Sequence, residues 1–248
     1  MTAAASTAAL GCNSRSPAPV NLRAARTLPA LDMGWIALKD HFVQTVGPRS
    51  GQGEPYSDLL VLADATLAPK SSFPMHPHRE MEILTWIVSG TMLHRDSTAA
   101  PEEIPAGTLQ LMSARNGLFH AEGNRRDAPV RLLQIWLTPD QRGGDPVFKT
   151  AALPADASGF VELAGPGPDA PLQIRQDARL LIARLQPGQR VSANLAPERR
   201  GYAITVGGEA RWNGQATADG DGMKLGSGAV EVVAGNAPVQ ALLFDLRS

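Results

Sequence analysis

Four side chains carry the chemistry that stands out in this chain. His76 and His78 are spaced i, i+2, and His120 and Glu122 repeat that spacing further along. On an extended segment, residues two apart project to the same side, so each pair presents both of its side chains together. Pro77 faces the other way and cannot donate to a central ladder, which places His-Pro-His at a strand edge, a bulge or a loop mouth. Two such pairs on neighbouring strands would converge on one ion through three ring nitrogens and one carboxylate oxygen. That donor set, free of thiolate, suits Fe(II), Mn, Ni, Cu(II) or Zn and excludes Fe–S clusters and blue copper. Open coordination positions would leave room for a bidentate organic substrate or dioxygen.

The remaining titratable residues are weaker candidates. His41 reads as a surface or core-satisfied histidine. Glu82 is placed either to take an imidazole N–H and hold a ligating tautomer or to pair with Arg79 or Arg95. His94 is a candidate pocket residue behind the ligands. Arg95, Asp96, Glu102 and Glu103 surround a loop and for the most part read as surface, whereas Trp86 and Trp136 lie in apolar strands and read as core.

The elements that must position these residues are strands. Apolar runs punctuated by Gly and Pro predict strands over 58–67, 81–88, 91–95, 108–112 and 131–137. They resume over 180–185, 191–195, 202–206, 210–213, 229–234 and 241–246. The expected organisation is a flexible leader over 1–30, a metal-binding barrel over 31–139, a linker over 140–177 with one short helix, and a second barrel over 178–248. The halves echo each other in order: Trp86-Ile-Val-Ser-Gly-Thr with Ile204-Thr-Val-Gly-Gly-Glu, Gly107-Thr-Leu-Gln-Leu-Met with Gly228-Ala-Val-Glu-Val-Val, and the run from Val130 with the run from Val239. Two similar closed barrels follow, since closure removes exposed sheet edges.

Composition agrees. The 248 residues contain 24 Gly and 20 Pro, high for a helix bundle yet below the roughly 25–30% of low-complexity chains. With 23 Lys plus Arg against 24 Asp plus Glu, the net charge is −1, which argues against a grip on nucleic acid or an anionic membrane through bulk charge. No run reaches the ~18 apolar residues of a membrane helix, and a soluble protein is expected. The single cysteine, Cys12, cannot form an intramolecular disulfide and reads as an ordinary exposed thiol. The first thirty-one residues lack acidic groups and carry Arg15, Arg23 and Arg26, but Pro17 and Pro19 break an amphipathic helix, so a plain leader is favoured over an organellar transit peptide.

The run from Phe73 to Thr91 (FPMHPHREMEILTWIVSGT), with His94-Arg-Asp-Ser, Pro105-Ala-Gly, Met112-Ser-Ala-Arg-Asn-Gly-Leu-Phe-His-Ala-Glu and Gln134-Ile-Trp-Leu-Thr-Pro, resembles the pirin family of bicupins. The resemblance is dense over about 58–148 and rests on pattern thereafter. It implies an all-β bicupin of two jelly-roll-like cupin barrels. The first would hold one mononuclear divalent metal through His76, His78, His120 and Glu122, with Fe(II) the expected ion and Mn, Ni, Cu and Zn the alternatives. The second barrel would lack ligands, in keeping with the absence of His beyond residue 120. A cytoplasmic monomer is also implied. Arg115 stands where the family has a small Gly, and it would either bind an anionic substrate group or point to solvent. The stretch 34–47 lacks the aromatic wording common near the family's start.

Two functions follow. One is a quercetin 2,3-dioxygenase-like enzyme acting on a flavonol or related phenolic and dioxygen, with Glu122 as ligand and general base. The other is a metal-containing, redox-responsive regulator or interaction module without catalysis. The latter would need a partner surface such as a basic patch, for which Arg125-Arg126 and Arg199-Arg200 are the densest pairs.

Overall fold

The computed structural model describes residues 17–98 and 100–248, so Cys12 and most of the expected leader lie outside the described residues. Strands dominate, and among the described residues the one helical element is a 3-10 turn at Ala25–Thr27. The first half pairs a large sheet with a small one. The large sheet runs Val147–Ala152, Thr108–Ser113, Glu82–Ser89, Val130–Leu137, Leu59–Leu67, Ile36–Asp40, Ala30–Asp32 in spatial order. The small sheet runs His76–His78, Leu118–Gly123, Thr91–Asp96, Glu102–Pro105.

The second half repeats this plan. Its large sheet is Val20–Arg23, Gly222–Leu225, Arg199–Val206, Val239–Arg247, Arg179–Leu185, Val161–Gly165, Leu172–Gln173, and its small one is Arg190–Leu195, Gly228–Ala234, Ala210–Trp212, Gln215–Thr217. The duplicated bicupin architecture expected from the sequence is present. The order of strands nevertheless corrects one repeat: Thr108–Ser113 corresponds in position to Gly222–Leu225 of the other large sheet, whereas Gly228–Ala234 lies in the small sheet. Both runs begin with Gly and alternate, which is too generic to distinguish neighbours.

Two expected connectors are also corrected. Within the supposed leader, Val20–Arg23 adds an edge strand to the second barrel by pairing with Gly222–Leu225. Within the supposed linker, Val147–Ala152 extends the first large sheet, while Val161–Gly165 and Leu172–Gln173 belong to the second; no helix forms. Short, half-exposed edge strands carry little alternation, and the Pro and Gly of the segments around them imitate a connector.

The two large sheets pack on each other, so their central strands are apolar on both faces. Leu133, Ile135 and Leu137 pack in one core cluster with Leu180, Ile182, Tyr202 and Phe244 of the other barrel. Leu132, Gln134 and Trp136 take the opposite face of the same strand and look into the first barrel. Trp86 is fully buried between the halves, where Nε1 donates to Gln240 Oε1 at 2.8 Å. Arg131 spans the same seam, donating to Asp64 at 2.6 and 2.9 Å and to Asp219 at 2.8 and 2.9 Å. At Gly90 the chain turns from the large sheet to the small one. Its φ is +80°, and a Cβ there would stand 2.8 Å from the Pro129 carbonyl oxygen. No helix of the described residues is long and apolar enough to cross a membrane.

Candidate metal centre

The His-Pro-His segment forms the outer strand of the first small sheet, so the missing Pro77 N–H costs no central ladder bond. It pairs with Leu118–Gly123, setting His76 opposite His120. The i, i+2 alternation then turns His76, His78 and His120 to the barrel interior. Their ring centroids are 4.4 Å (His76 to His120), 4.9 Å (His78 to His120) and 4.9 Å (His76 to His78) apart. One ligand nitrogen from each lies within 4.8 Å of the other two.

Their protonation suits a cation. His76 Nδ1 lies 2.9 Å from the Pro74 carbonyl oxygen; a carbonyl only accepts, so Nδ1 carries the hydrogen and Nε2 keeps the lone pair. Burial, reinforced by the neighbouring imidazoles of His120 and His76, pushes His78 down to about 4. Burial likewise takes His120 to about 4, against the opposing pull of Glu122. Both are therefore neutral, ligating imidazoles near pH 7. Both nitrogens of His120 are buried with no hydrogen-bond partner. A buried polar atom left unmatched costs about 1–3 kcal/mol. Three converging imidazoles, one of them orphaned, fit a divalent transition ion.

Glu122 is 2% exposed and clamped by three donors. Gln110 Nε2 and Thr85 Oγ1 donate to Oε1 at 3.0 and 3.2 Å, and Gln134 Nε2 donates to Oε2 at 2.7 Å. Burial raises its pKa, but His120, His94 and the amide donors outweigh that and hold the carboxyl below its ordinary range. It groups with His120 and His94, its ligand oxygen lying within 4.8 Å of theirs. The four expected ligands are thus reached through two overlapping triplets that share His120: His76, His78, His120 and His94, His120, Glu122.

A cavity of about 280 Å³ opens on this cluster. His76, His78, His120 and Glu122 line one end, while Ile36, Leu38, Val46, Ala63, Ala65 and Leu132 form apolar walls. That size lies near the lower bound of ~300–1,000 Å³ for small-molecule sites. The segment 34–47 contributes the aliphatic Ile36, Leu38 and Val46 to that wall. Trp136 lines the cavity and meets His78 edge-on at 5.0 Å, which corrects its reading as plain core. Trp86, on the other face of the large sheet, is core as expected.

Glu82 touches neither a ligand nor Arg79 or Arg95. It shares a strand face with Leu84 and Trp86, away from the metal side, and accepts from Ser113 Oγ at 2.5 Å. Arg115 neither lines the cavity nor stands free: it donates to Ser113 Oγ at 3.3 Å and to the Asp145 carbonyl at 3.0 Å. Its φ of +42° is left-handed, a conformation that glycine adopts more cheaply. His41 is buried, its Nδ1 2.7 Å from the Tyr202 hydroxyl. Asp96, expected at the surface, has a side chain 0% exposed and bonded to His94. Arg95, Glu102 and Glu103 are exposed.

Sequence reasoning missed Thr85, Gln110 and Gln134, which hold Glu122. The available signal was a polar residue flanked on both sides by apolar ones in each of three strands: Leu84-Thr85-Trp86, Leu109-Gln110-Leu111 and Leu133-Gln134-Ile135.

Comparison with known proteins matches this architecture. The family model described as Pirin matches residues 22–137, and one described as a quercetinase C-terminal cupin domain matches 163–246. A pirin-like protein of Caulobacter vibrioides is 35% identical over 88% of this chain and 95% of its own length. A quercetin 2,3-dioxygenase of Escherichia coli is 31% identical over 77% of this chain and 83% of its own. The crystal structure of the E. coli bacterial pirin YhhW in complex with nickel(II) superposes with a TM-score of 0.83 at 29% identity, covering 92% of this chain and 99% of that one. With its two stacked cupin barrels and this degree of likeness along its length, the chain belongs to the pirin family.

Proposed function

We propose that this protein is a metal-dependent dioxygenase acting on a flavonol-like or related phenolic substrate, with His76, His78, His120 and Glu122 as the metal set. One observation carries the reading: neutral imidazoles and an ionised, buried carboxylate meet at the end of an apolar cavity. The nickel(II) in the related E. coli structure and the quercetin 2,3-dioxygenase name of another relative support it. Fe(II) and Ni(II) are the ions to test first. When bound, the ion supplies Lewis acidity toward a coordinated hydroxyl and an electron path between substrate and dioxygen.

The chain's own residues do the rest. Ile36, Leu132 and Trp136 offer flat and aliphatic surface to an aromatic ring and exclude water around it. Glu122 has about four lone-pair sites and spends three on Thr85, Gln110 and Gln134. The remaining one faces the ion, so Glu122 would take a hydroxyl proton as its bond to the ion loosens, serving as ligand and general base in turn. Oxygen uptake by metal-loaded protein with quercetin and a panel of catechols tests this, alongside metal analysis of wild type and His76→Ala. Oxygen consumption that tracks metal content and vanishes in the variant is expected; its absence with every phenolic sinks the assignment.

A non-catalytic interaction role rests on Met75 and Phe119, 52% and 54% exposed and adjacent in sequence to His76 and His120. Within the basic pairs, Arg126 is engaged by Glu103, Arg199 by Asp177 and Asp245, and Arg200 stacks over Tyr56. A partner captured only by one redox state of the metal-loaded protein would favour that role.

A further inference from the structure

We propose that His94 is also a metal ligand, forming with His120 and Glu122 an inner position that one ion occupies in alternation with the outer position, where His76 and His78 join His120 and Glu122. The proposal rests on the reading above that this cluster binds a divalent transition ion, and adds a residue and a second place for it.

The first support is placement. In the antiparallel pairing of Thr91–Asp96 with Leu118–Gly123, His94 stands opposite Glu122 and Asp96 opposite His120. One ligand atom from each of His94, His120 and Glu122 lies within 4.8 Å of the other two, and all three residues are buried.

The second support is how His94 is held. Its Nε2 lies 2.8 Å from Asp96 Oδ2, and the two side chains are 1% and 0% exposed. A carboxylate accepts, so Nε2 carries the hydrogen and Nδ1 is the nitrogen turned toward a cation. That Nδ1 is buried and has no partner. One ring nitrogen on a carboxylate and the other on a cation is the usual arrangement of ligating histidines. The ring is further fixed by stacking on Phe148, with centroids 4.3 Å apart and planes 13° apart.

The two positions exclude each other. His120, as a neutral imidazole, offers one lone pair at a time. One equivalent of metal is therefore expected, not two. His76 and His78 line the cavity and His94 does not, so the inner position withdraws the ion from the substrate side.

The test uses metal-free full-length protein without a polyhistidine tag, titrated with Co(II) by calorimetry and visible absorption. Wild type is expected to bind one equivalent. The double variant His76→Ala/His78→Ala is expected still to bind one, with affinity lowered by more than about 100-fold and a changed ligand-field spectrum. Adding His94→Phe should abolish that residual binding. His94→Asn carries the same expectation while keeping a polar group toward Asp96, and circular dichroism of each variant verifies folding. If wild type binds Co(II) and the double variant does not, the inner position is wrong while the outer site stands. Residual binding that survives both His94 substitutions also overturns it. Failure of wild type to bind at all overturns both readings.

Discussion

The two barrels share one strand plan and use their interiors in opposite ways. In the small sheet of the first, the inward positions on two adjoining strands are His76, His78, His120 and Glu122. On the corresponding strands of the second they are Val191, Leu195, Val230 and Val232, packed around Trp212. Trp212 is fully buried and its Nε1 donates to Thr205 Oγ1 at 2.9 Å, so even its polar tip is matched. In contrast, the buried side-chain atoms without partners among the described residues all belong to the first half: Asp40, His41, Glu82, His94, Gln110, His120 and Trp136. A filled interior supplies stability, whereas an open one with unmatched polar groups gives up stability for a ligand.

The contrast can be broken most severely at the ligands. His78→Ala or His120→Ala should reduce metal affinity beyond the ~100-fold typical of losing a supporting residue. Turnover should fall to background while the fold persists, as read by metal analysis, oxygen uptake and circular dichroism. The second barrel is expected to respond in the opposite sense. Trp212→Ala should cost ~3–5 kcal/mol through cavity formation, seen as a lowered urea midpoint, with metal content per folded molecule unchanged. Next comes Gln134→Leu, which removes the 2.7 Å bond to Glu122. About a 10–100-fold loss of metal affinity is expected, with a much smaller change in stability; an unaltered affinity would remove Gln134 from the site.

The smallest effect concerns acid. Burial first, then Arg23 and Lys39, holds His41 at about 3, and burial holds His78 and His120 at about 4. These bases have folded pKa values below the unfolded value of 6.5, so their contribution is present above pH 6.5 and disappears as pH falls through the folded values. Metal-free protein should lose up to ~1.4 kcal/mol per pH unit for each such histidine as the pH drops below 6.5. His41→Gln should remove one such share, measured by urea unfolding at several pH values. The second barrel contains no histidine and adds nothing to that slope.

Much of this organisation was legible from local pattern. Period-two alternation around Pro77 and at His120 to Glu122 named side chains that do share a barrel interior, and central strands such as Val130–Leu137 declared themselves by apolar runs. Edge elements did not. Val20–Arg23 and Val147–Ala152 are short and half-exposed, so nothing in their composition separates them from leader or linker. Glu82 and Gln134 illustrate the same limit at the site: both are polar residues in apolar strands, yet only one faces the cavity.

By itself the sequence determined which donors exist, in which half, and with what spacing along each strand, because side-chain alternation follows from the local pleat. Only the tertiary structure decided that His94 and Asp96 stand behind His120, that three amide and hydroxyl donors close on Glu122, and that Trp136 faces a ligand histidine. Those contacts join residues far apart in the chain. They depend on strand register and on which face each sheet turns toward the other barrel, and both are settled by packing of the whole molecule.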